Sequence, residues 1–451
     1  MVTMVAIPLT TLLDQMFGGR WFVGLMASAS LGFVFFLWQN ISAGIRRTSA
    51  ILVLVTAGVL PWTASPMQSL VDGLRIGCLI GSLLITVSLL SRAALRVRRV
   101  RELVNSLYQL PQRHRYLGLT LGSQFFGGFL GLAGIAMMME VGEHQEQIEQ
   151  GDRATAFTAI GRGYAALSLW SPMYSNMSIV LAIYKGPNWV DVLPVALTVS
   201  ALLVALGAAL EKIGRRAGQM AVHEPVRESR PLRGGFSVIV AMLLFLAFMV
   251  MTSQILRLPI SAVIITAAPM AAWILNISFA QPDRNESRIA AGVHALGKDL
   301  RNSQVMAGEV MLFLASGCAG TVIAGAIPSS WTAVIGGAFG GSPILGSLFL
   351  SSFIVLLSFT AIHPMLSAVL VASSFGPQVM GLPVMAHLCA ILVGWGLAII
   401  ITPFSVLSLM ASRHSGIPIL TISLRANIGF ALLSILGSGL VLGGLTHLKQ
   451  F

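Results

Sequence analysis

The sequence predicts an all-α polytopic membrane protein built as two inverted repeats. Three observations carry that expectation. The 451 residues are 56% hydrophobic and 10% charged, with a mean hydropathy of +0.85, whereas soluble domains carry about a quarter charged residues. The apolar runs reach the roughly 20 residues that a helix needs to cross hydrocarbon, and they lack the short alternating segments of a β-barrel. Finally, Gly163, Pro172 and Pro187 recur as Gly394, Pro403 and Pro418 at one spacing (394 − 163 = 403 − 172 = 418 − 187 = 231).

The net charge of +12 and the isoelectric point near 10.6 do not imply nucleic acid. Arg and Lys gather in short segments between apolar runs, where they set orientation in a membrane by the positive-inside rule. Cys78, Cys318 and Cys389 stand apart in apolar surroundings, without metal-ligand spacing, and read as small packing residues. No metal and no organic cofactor is expected. Residues 1–20 carry Asp14 and no basic n-region, so a cleaved signal peptide is not expected.

Taken in order, spans near 21–39, 48–63 and 72–91 lead into Arg92, Arg96, Arg98, Arg99 and Arg101, the most basic stretch, which belongs inside. Counting back three crossings places the N-terminus outside. Between Leu90 and Leu110 apolar residues recur at helical spacing among the arginines, the pattern of a helix lying along the interface.

The next apolar run, 117–139, is rich in Gly. Read as one crossing, it would put the basic 212–233 segment outside. Read as a re-entrant hairpin over about 117–147, it leaves that segment inside. Gly122, Gly127, Gly128 and Gly131 suit a tight turn, since Gly adopts φ > 0 and permits close packing. A broken span over 155–184 and a span over 189–211 complete a first repeat, residues 1–233.

The second repeat, 234–451, has spans near 235–253, 258–279 and 306–327. The loop holding Arg284, Arg288, Lys298 and Arg301 falls inside, and a Gly-rich link from Ala333 to Gly346 falls outside. A second hairpin over 347–376 turns around Ser358 to Pro364, a broken span covers 384–411, and a last span, 418–446, runs outward. Both termini are therefore expected on the periplasmic side of the inner membrane.

The breaks are where chemistry is expected. Pro172 and Pro403 have no N–H to give a helix and clash with the carbonyl four residues back. In a bilayer the freed backbone groups must meet protein or line a water-filled cavity. Half-helix N-termini favour anionic groups, and freed carbonyls favour Na⁺. Ser171, Pro172, Ser175 and Asn176, with Thr402, Pro403 and Ser405, are the candidate lining of such a site. The hairpin turns add Ser123, Gln124, Gly127 and Gly128, then Ser358, Thr360 and His363. The bland alternative is a pair of proline kinks with Ser and Asn as interhelical glue.

The layout resembles the ion transporter superfamily of secondary transporters, which includes divalent-anion symporters and the large membrane subunit of TRAP transporters. Ile362-His363-Pro364 stands where TRAP subunits have a Gly-Ile-Asp-Pro-like hairpin motif. Leu169-Trp170-Ser171-Pro172 and Ile401-Thr402-Pro403-Phe404-Ser405 are similar to their two Pro-containing breaks. Met173 and Phe404 replace the second proline of each break, and His363 replaces an acidic residue. The resemblance implies elevator-type movement of the hairpin-bearing part, often in a homodimer. Its TRAP side implies an accessory membrane subunit or a periplasmic binding protein as partner.

Among charged residues, His363 either titrates or binds an anion, or merely caps backbone at its turn. Arg162 is a candidate for charge coupling or a snorkelling side chain. Glu309 is a candidate for proton coupling or the partner of a neighbouring Arg. The acidic run Glu140, Glu143, Glu146, Glu149 and Asp152 reads as a solvated face. Motifs for nucleotide binding, zinc hydrolysis and serine hydrolysis are absent.

The expected function is therefore not enzymatic. It is ion-coupled transport, with Na⁺ or H⁺ as the coupling ion and a small organic anion as solute. His363, the helix termini and the scarcity of acids near the breaks favour the anion. The alternatives are a subunit of a multicomponent transporter, and a membrane-embedded glycan polymerase or ligase. The latter class usually needs large external loops bearing Arg, His or Asp clusters.

Overall fold

A computed structural model describes residues 2–145, 150–184, 186–217, 235–279, 287–360 and 362–446. Glu146, Glu149, Arg284 and the basic 218–234 segment lie outside the described residues. Within them the chain is all helical, and ten helices are long and apolar enough to cross a membrane.

The first helices are α1 (Val2–Phe17), α2 (Arg20–Leu37), α3 (Ala43–Val59), α4 (Pro66–Leu95) and α5 (Arg98–Tyr108). The sequence reading had no element at α1. It forms a helical hairpin with α2 across Gly18 and Gly19, both at positive φ. It also runs antiparallel to α4: Asp14 holds Arg75 at 2.9 Å, and Thr11 accepts from Ser82 at 3.0 Å. Nine residues back from Thr11, at 1.5 Å each, Val2 comes level with the basic end of α4. Val2 thus lies at the same face as Arg92–Arg101, whereas span counting put the N-terminus at the opposite one. The extra helix reverses the count.

α5 is the amphipathic interfacial helix that the arginine spacing predicts. Val100, Leu103, Val104 and Tyr108 are buried, while Arg98, Arg99 and Arg101 are exposed. α6 (Gln112–Glu143) is not one crossing, because the backbone breaks at Gly131 (φ 56°, ψ −146°). A Cβ on Gly122 would lie 3.4 Å from Met138 Cε, although a continuous helix would hold those residues about 24 Å apart. The two arms are therefore folded back on each other. Both ends of this hairpin sit at the basic face, where Gln112 O accepts from Arg215 and Glu143 pairs with His414.

α7 (Gln150–Leu167) and α8 (Ser175–Ile183) are the halves of the first broken span, and α9 (Trp189–Ala217) returns to the basic face. The second half opens with α10 (Gly235–Leu256), α11 (Ile260–Phe279) and α12 (Arg288–Asn302). α12 is helical where the sequence reading placed a loop. Ser287 caps it, and Asp299 in its last turn is buried against Arg96 and Asn276.

α13 (Ala307–Ala326) packs antiparallel on α4 through Gly73, Gly77 and Gly81. These glycines, one turn apart, let the backbones touch: a Cβ on Gly77 would stand 2.8 Å from Leu314 Cα. Small residues at such a seam are how helices gain contact in lipid, where no hydrophobic drive separates them from solvent. α14 (Ser329–Phe339) occupies part of the supposed Gly-rich link; it buries no residue, and Trp331 and Val334 are exposed.

α15 (Pro343–Ser358) and α16 (Pro364–Ser374) form the second hairpin. Its ends lie at the face opposite the basic one, with Gly346 on Met380 and Ile344 on Gly443. α17 (Val384–Ile401) and α18 (Val406–Ser415) are the second broken span. A π-helical turn, Thr421–Arg425, then leads into α19 (Ala426–Thr446), which runs from the basic face to the other.

Candidate functional site

Each break is latched to the turn of a hairpin. In the first pair, Ser171 Oγ donates to Gly128 O at 2.9 Å, and Trp170 Nε1 donates to Gln124 Oε1 at 2.8 Å. Gly127 faces Tyr164 and Leu167, and Ser123 Oγ donates to Ile160 O at 2.6 Å. Pro172 O, freed by the break, accepts from Ser178 Oγ at 2.9 Å. Ser175 opens α8, and Asn176 beside it is buried with its Nδ2 unpartnered.

In the second pair, Thr402 Oγ1 donates to Ser358 O at 3.0 Å and accepts from Phe404 N at 3.3 Å. Pro403 is half-buried, and Ser405 caps α18 by accepting from Ser408 N at 3.0 Å. Thr360 is exposed at the hairpin turn. His363 Nδ1 accepts from Met365 N at 3.2 Å, and its ring sits edge-on to Phe313. Of the two roles set out for His363, backbone capping is the one the geometry displays. The ring nitrogen that accepts carries no proton, so Nε2 carries it, without a partner among the described residues.

The candidates form two clusters rather than one. α7 and α17 cross antiparallel, with Gly161 against Ile400, Gly396 against Ala165, and Ser168 Oγ donating to Leu392 O at 3.2 Å. The first break therefore lies near residue 392 and the second begins at Thr402. Ten residues of helix separate them, about 15 Å. Antiparallel registry of the two half-spans is the reason.

Both clusters meet helix ends of both signs, since α7, α15 and α17 end there at Leu167, Ser358 and Ile401 with partial negative charge. The second arms of both hairpins and the second halves of both broken spans start at Leu132, Ser175, Pro364 and Val406. All four turn N-terminal ends, each equivalent to partial positive charge, toward the interior.

Arg162 is not the snorkelling side chain that its place on a span suggested. It is 9% exposed and donates to Asn427 Oδ1 at 3.2 Å, Tyr116 OH at 3.2 Å and Ala426 O at 2.8 Å, with Phe430 beneath its guanidinium. Asn427 Nδ2 in turn donates to Ile422 O and Ser423 O, within the π-helical turn. Arg162 thus ties α7 to α6 and α19. Glu309 has neither the arginine partner weighed for it nor any other ion pair or hydrogen bond among the described residues; it sits one turn before Phe313, on the helix that faces His363.

Sequence reasoning missed Asn427, Tyr116 and the pair Tyr184–His387. In that pair Tyr184 OH lies 2.6 Å from Nδ1 of fully buried His387, whose Nε2 donates to Phe375 O at 2.6 Å. Only the presence of a lone His inside an apolar span hinted at it. No group of His, Cys, Asp and Glu that could hold a metal ion occurs among the described residues.

No protein-family model matches the chain, and no curated protein is similar to it in sequence. In fold it is similar to a solved structure, the YdaH transporter of Alcanivorax borkumensis, whose topology is described as unusual. The TM-score is 0.57 at 16% identity, over 93% of this chain and 98% of that one. At that identity the likeness is one of architecture: this chain is a multi-pass helical membrane protein with a transporter's fold.

Proposed function

We propose that the chain is a secondary transporter of a small organic anion, built of two inverted repeats and coupled to Na⁺ or H⁺ in an inner membrane. The observation that carries this reading is the repeated glycine seam between broken span and hairpin at one spacing. Gly163 packs on Thr120 and Ser123, and Gly394 packs on Ser351 and Ile354. Every member of the second set is its counterpart plus 231 (163 + 231 = 394; 120 + 231 = 351; 123 + 231 = 354). The hairpin turns obey the same offset, since Gly131 maps onto Ile362 (131 + 231 = 362). The hairpins start from opposite faces, as an inverted pair must. The transporter fold of the solved relative supports the same reading.

In this proposal the hairpins and broken spans carry the solute as a unit against α4, α11 and α13, an elevator movement, in a homodimer. Helix N-termini hold the anion, and break carbonyls hold the coupling cation. The test is thermal unfolding of purified protein with small carboxylates and sulfonates, in Na⁺ or K⁺ and at two pH values. A ligand that binds only the folded state stabilises it by about 2.7 kcal/mol at a hundredfold excess over its Kd. A stabilising anion whose effect needs Na⁺, or a lower pH, is the expected result. No shift with any anion would turn the search to an accessory subunit or a binding protein that delivers the solute.

A further inference from the structure

A cavity of about 660 Å³ opens at the face opposite the basic one. One wall is α8 and the start of α9, with Ser178, Tyr184 and Trp189; the other is the ends of α1 and α10 and the start of α11, with Gln15, Gln254 and Arg257. Its volume is that of a small-molecule site, and it lies between two structural units, where such sites concentrate.

Among the described residues that line it, Arg257 is the only ionised one. It makes no hydrogen bond or ion pair with any described residue. Of the carboxylates adjacent in sequence to the lining, Asp14 is paired with Arg75, while Asp191 is held at the rim by the backbone N–H of the lining residue Asn188, on the wall across the cavity from Arg257. Arg257 is also the one described non-glycine residue at positive φ, 52°. That conformation is strained for a residue with a Cβ, and here the turn is locked by reciprocal bonds between Ser253 and Leu258. The backbone therefore fixes where the guanidinium begins.

The opposite wall is wired to the proposed transport machinery. Trp189 Nε1 donates to Trp170 O at 2.7 Å, and Ser178 Oγ to Pro172 O, both carbonyls of the first break. Tyr184 reaches the end of the second hairpin through His387 and Phe375 O. An occupant of this cavity touches both the break-bearing and the opposing helices.

We propose that this cavity is the receiving site for the solute on that face, and that Arg257 selects a free, singly charged organic anion with an apolar body, a carboxylate or sulfonate. The inference rests on the transporter reading for its purpose, but its test does not depend on transport. In a background with Cys78, Cys318 and Cys389 replaced by Ala, Gln254→Cys is labelled in an uncharged detergent, which supplies no anionic headgroup. The reagents are sulfonatoethyl and trimethylammonioethyl methanethiosulfonate.

One charge at this range should favour the anionic reagent by roughly threefold to tenfold over its rate ratio on a free thiol. Arg257→Gly should abolish the bias, Arg257→Lys should retain most of it, and benzoate should slow labelling only where the cation remains. Because position 257 is left-handed, Arg257→Gly relieves strain and should melt no lower than the parent, which separates loss of charge from loss of fold. Equal bias in Arg257→Gly and the parent, or no protection by benzoate, overturns the proposal. A positive labelling result with no transport of any anion would instead count against the transporter reading alone.

Discussion

Replacing Gly163 by Ala tests the seam between the first hairpin and its broken span. The new Cβ would stand 2.2 Å from Thr120 O and 3.0 Å from Ser123 Cβ, and the first of these is a backbone atom that cannot rotate away. Helix α7 must move by about 1 Å, and such overpacking typically costs about 1–3 kcal/mol. The shift also stretches two bonds flanking the seam, Ser123 Oγ to Ile160 O at 2.6 Å and Thr120 Oγ1 to Ala159 O at 3.3 Å, each worth about 1 kcal/mol. Against this, Gly→Ala within a helix gains about 1 kcal/mol. The expected balance is a loss of about 1–3 kcal/mol. Gly161→Ala is the control, since its Cβ would meet only Ile400, at 3.7 Å, and should show the helix gain alone. Gly394→Ala, 2.8 Å from Ser351 O, should fall between them. Unfolding is followed with a thiol-reactive dye, because Cys78 and Cys389 are buried in the folded state. If Gly163→Ala melts at or above Gly161→Ala, the seam is not as close as described and the argument from its repetition fails with it.

Three further outcomes are expected. Arg162→Met should lose about 3–5 kcal/mol, because Asn427 Oδ1 and Ala426 O are left buried without a donor, while Arg162→Lys should recover only part of it for want of the guanidinium's fork; denaturation midpoints of the three proteins decide. Ser171→Ala and Thr402→Val should each cost about 1 kcal/mol by freeing Gly128 O and Ser358 O, and with the clusters about 15 Å apart the double variant should show the sum; a marked departure from additivity in thermal unfolding would mean that the two latches are coupled. In a cysteine-free background, Thr3→Cys and Glu143→Cys should react with an impermeant thiol reagent from one side of intact vesicles and Gly376→Cys from the other, and any other pattern contradicts the placement of α1 or of a hairpin.

The breaks and hairpin turns were legible because each depends on a local physical signal. Pro172 and Pro403 interrupt apolar helices, and clustered glycines mark the turn at Gly131. Orientation was legible only as far as charge reached. The basic stretches marked the face of the first hairpin, but α1 carries no Arg or Lys, so its 16 residues, about 24 Å of helix, passed without a signal, and span counting set the start of the chain opposite the basic stretch that Val2 lies beside. Partnership was the least legible of all. Arg162 and Asn427 are 265 residues apart, as are the members of no sequence motif. What joins them is a π-helical turn whose carbonyls at Ile422 and Ser423 hold the Asn427 amide, and nothing in Thr421–Arg425 announces that turn. The same limit explains why the candidate residues fell into two clusters. Ser171 and Thr402 look like ligands of one site when only their types and their 231-residue spacing are known. Set in antiparallel helices, equal spacing places them at opposite ends of the α7–α17 contact, and each hydroxyl satisfies the nearest freed carbonyl. In an apolar interior that hydrogen bond comes first, since an unpaired carbonyl would cost several kilocalories. A solute or cation that enters either cluster must therefore displace or share it, which makes Ser171 and Thr402 latches of the hairpins before they can be ligands.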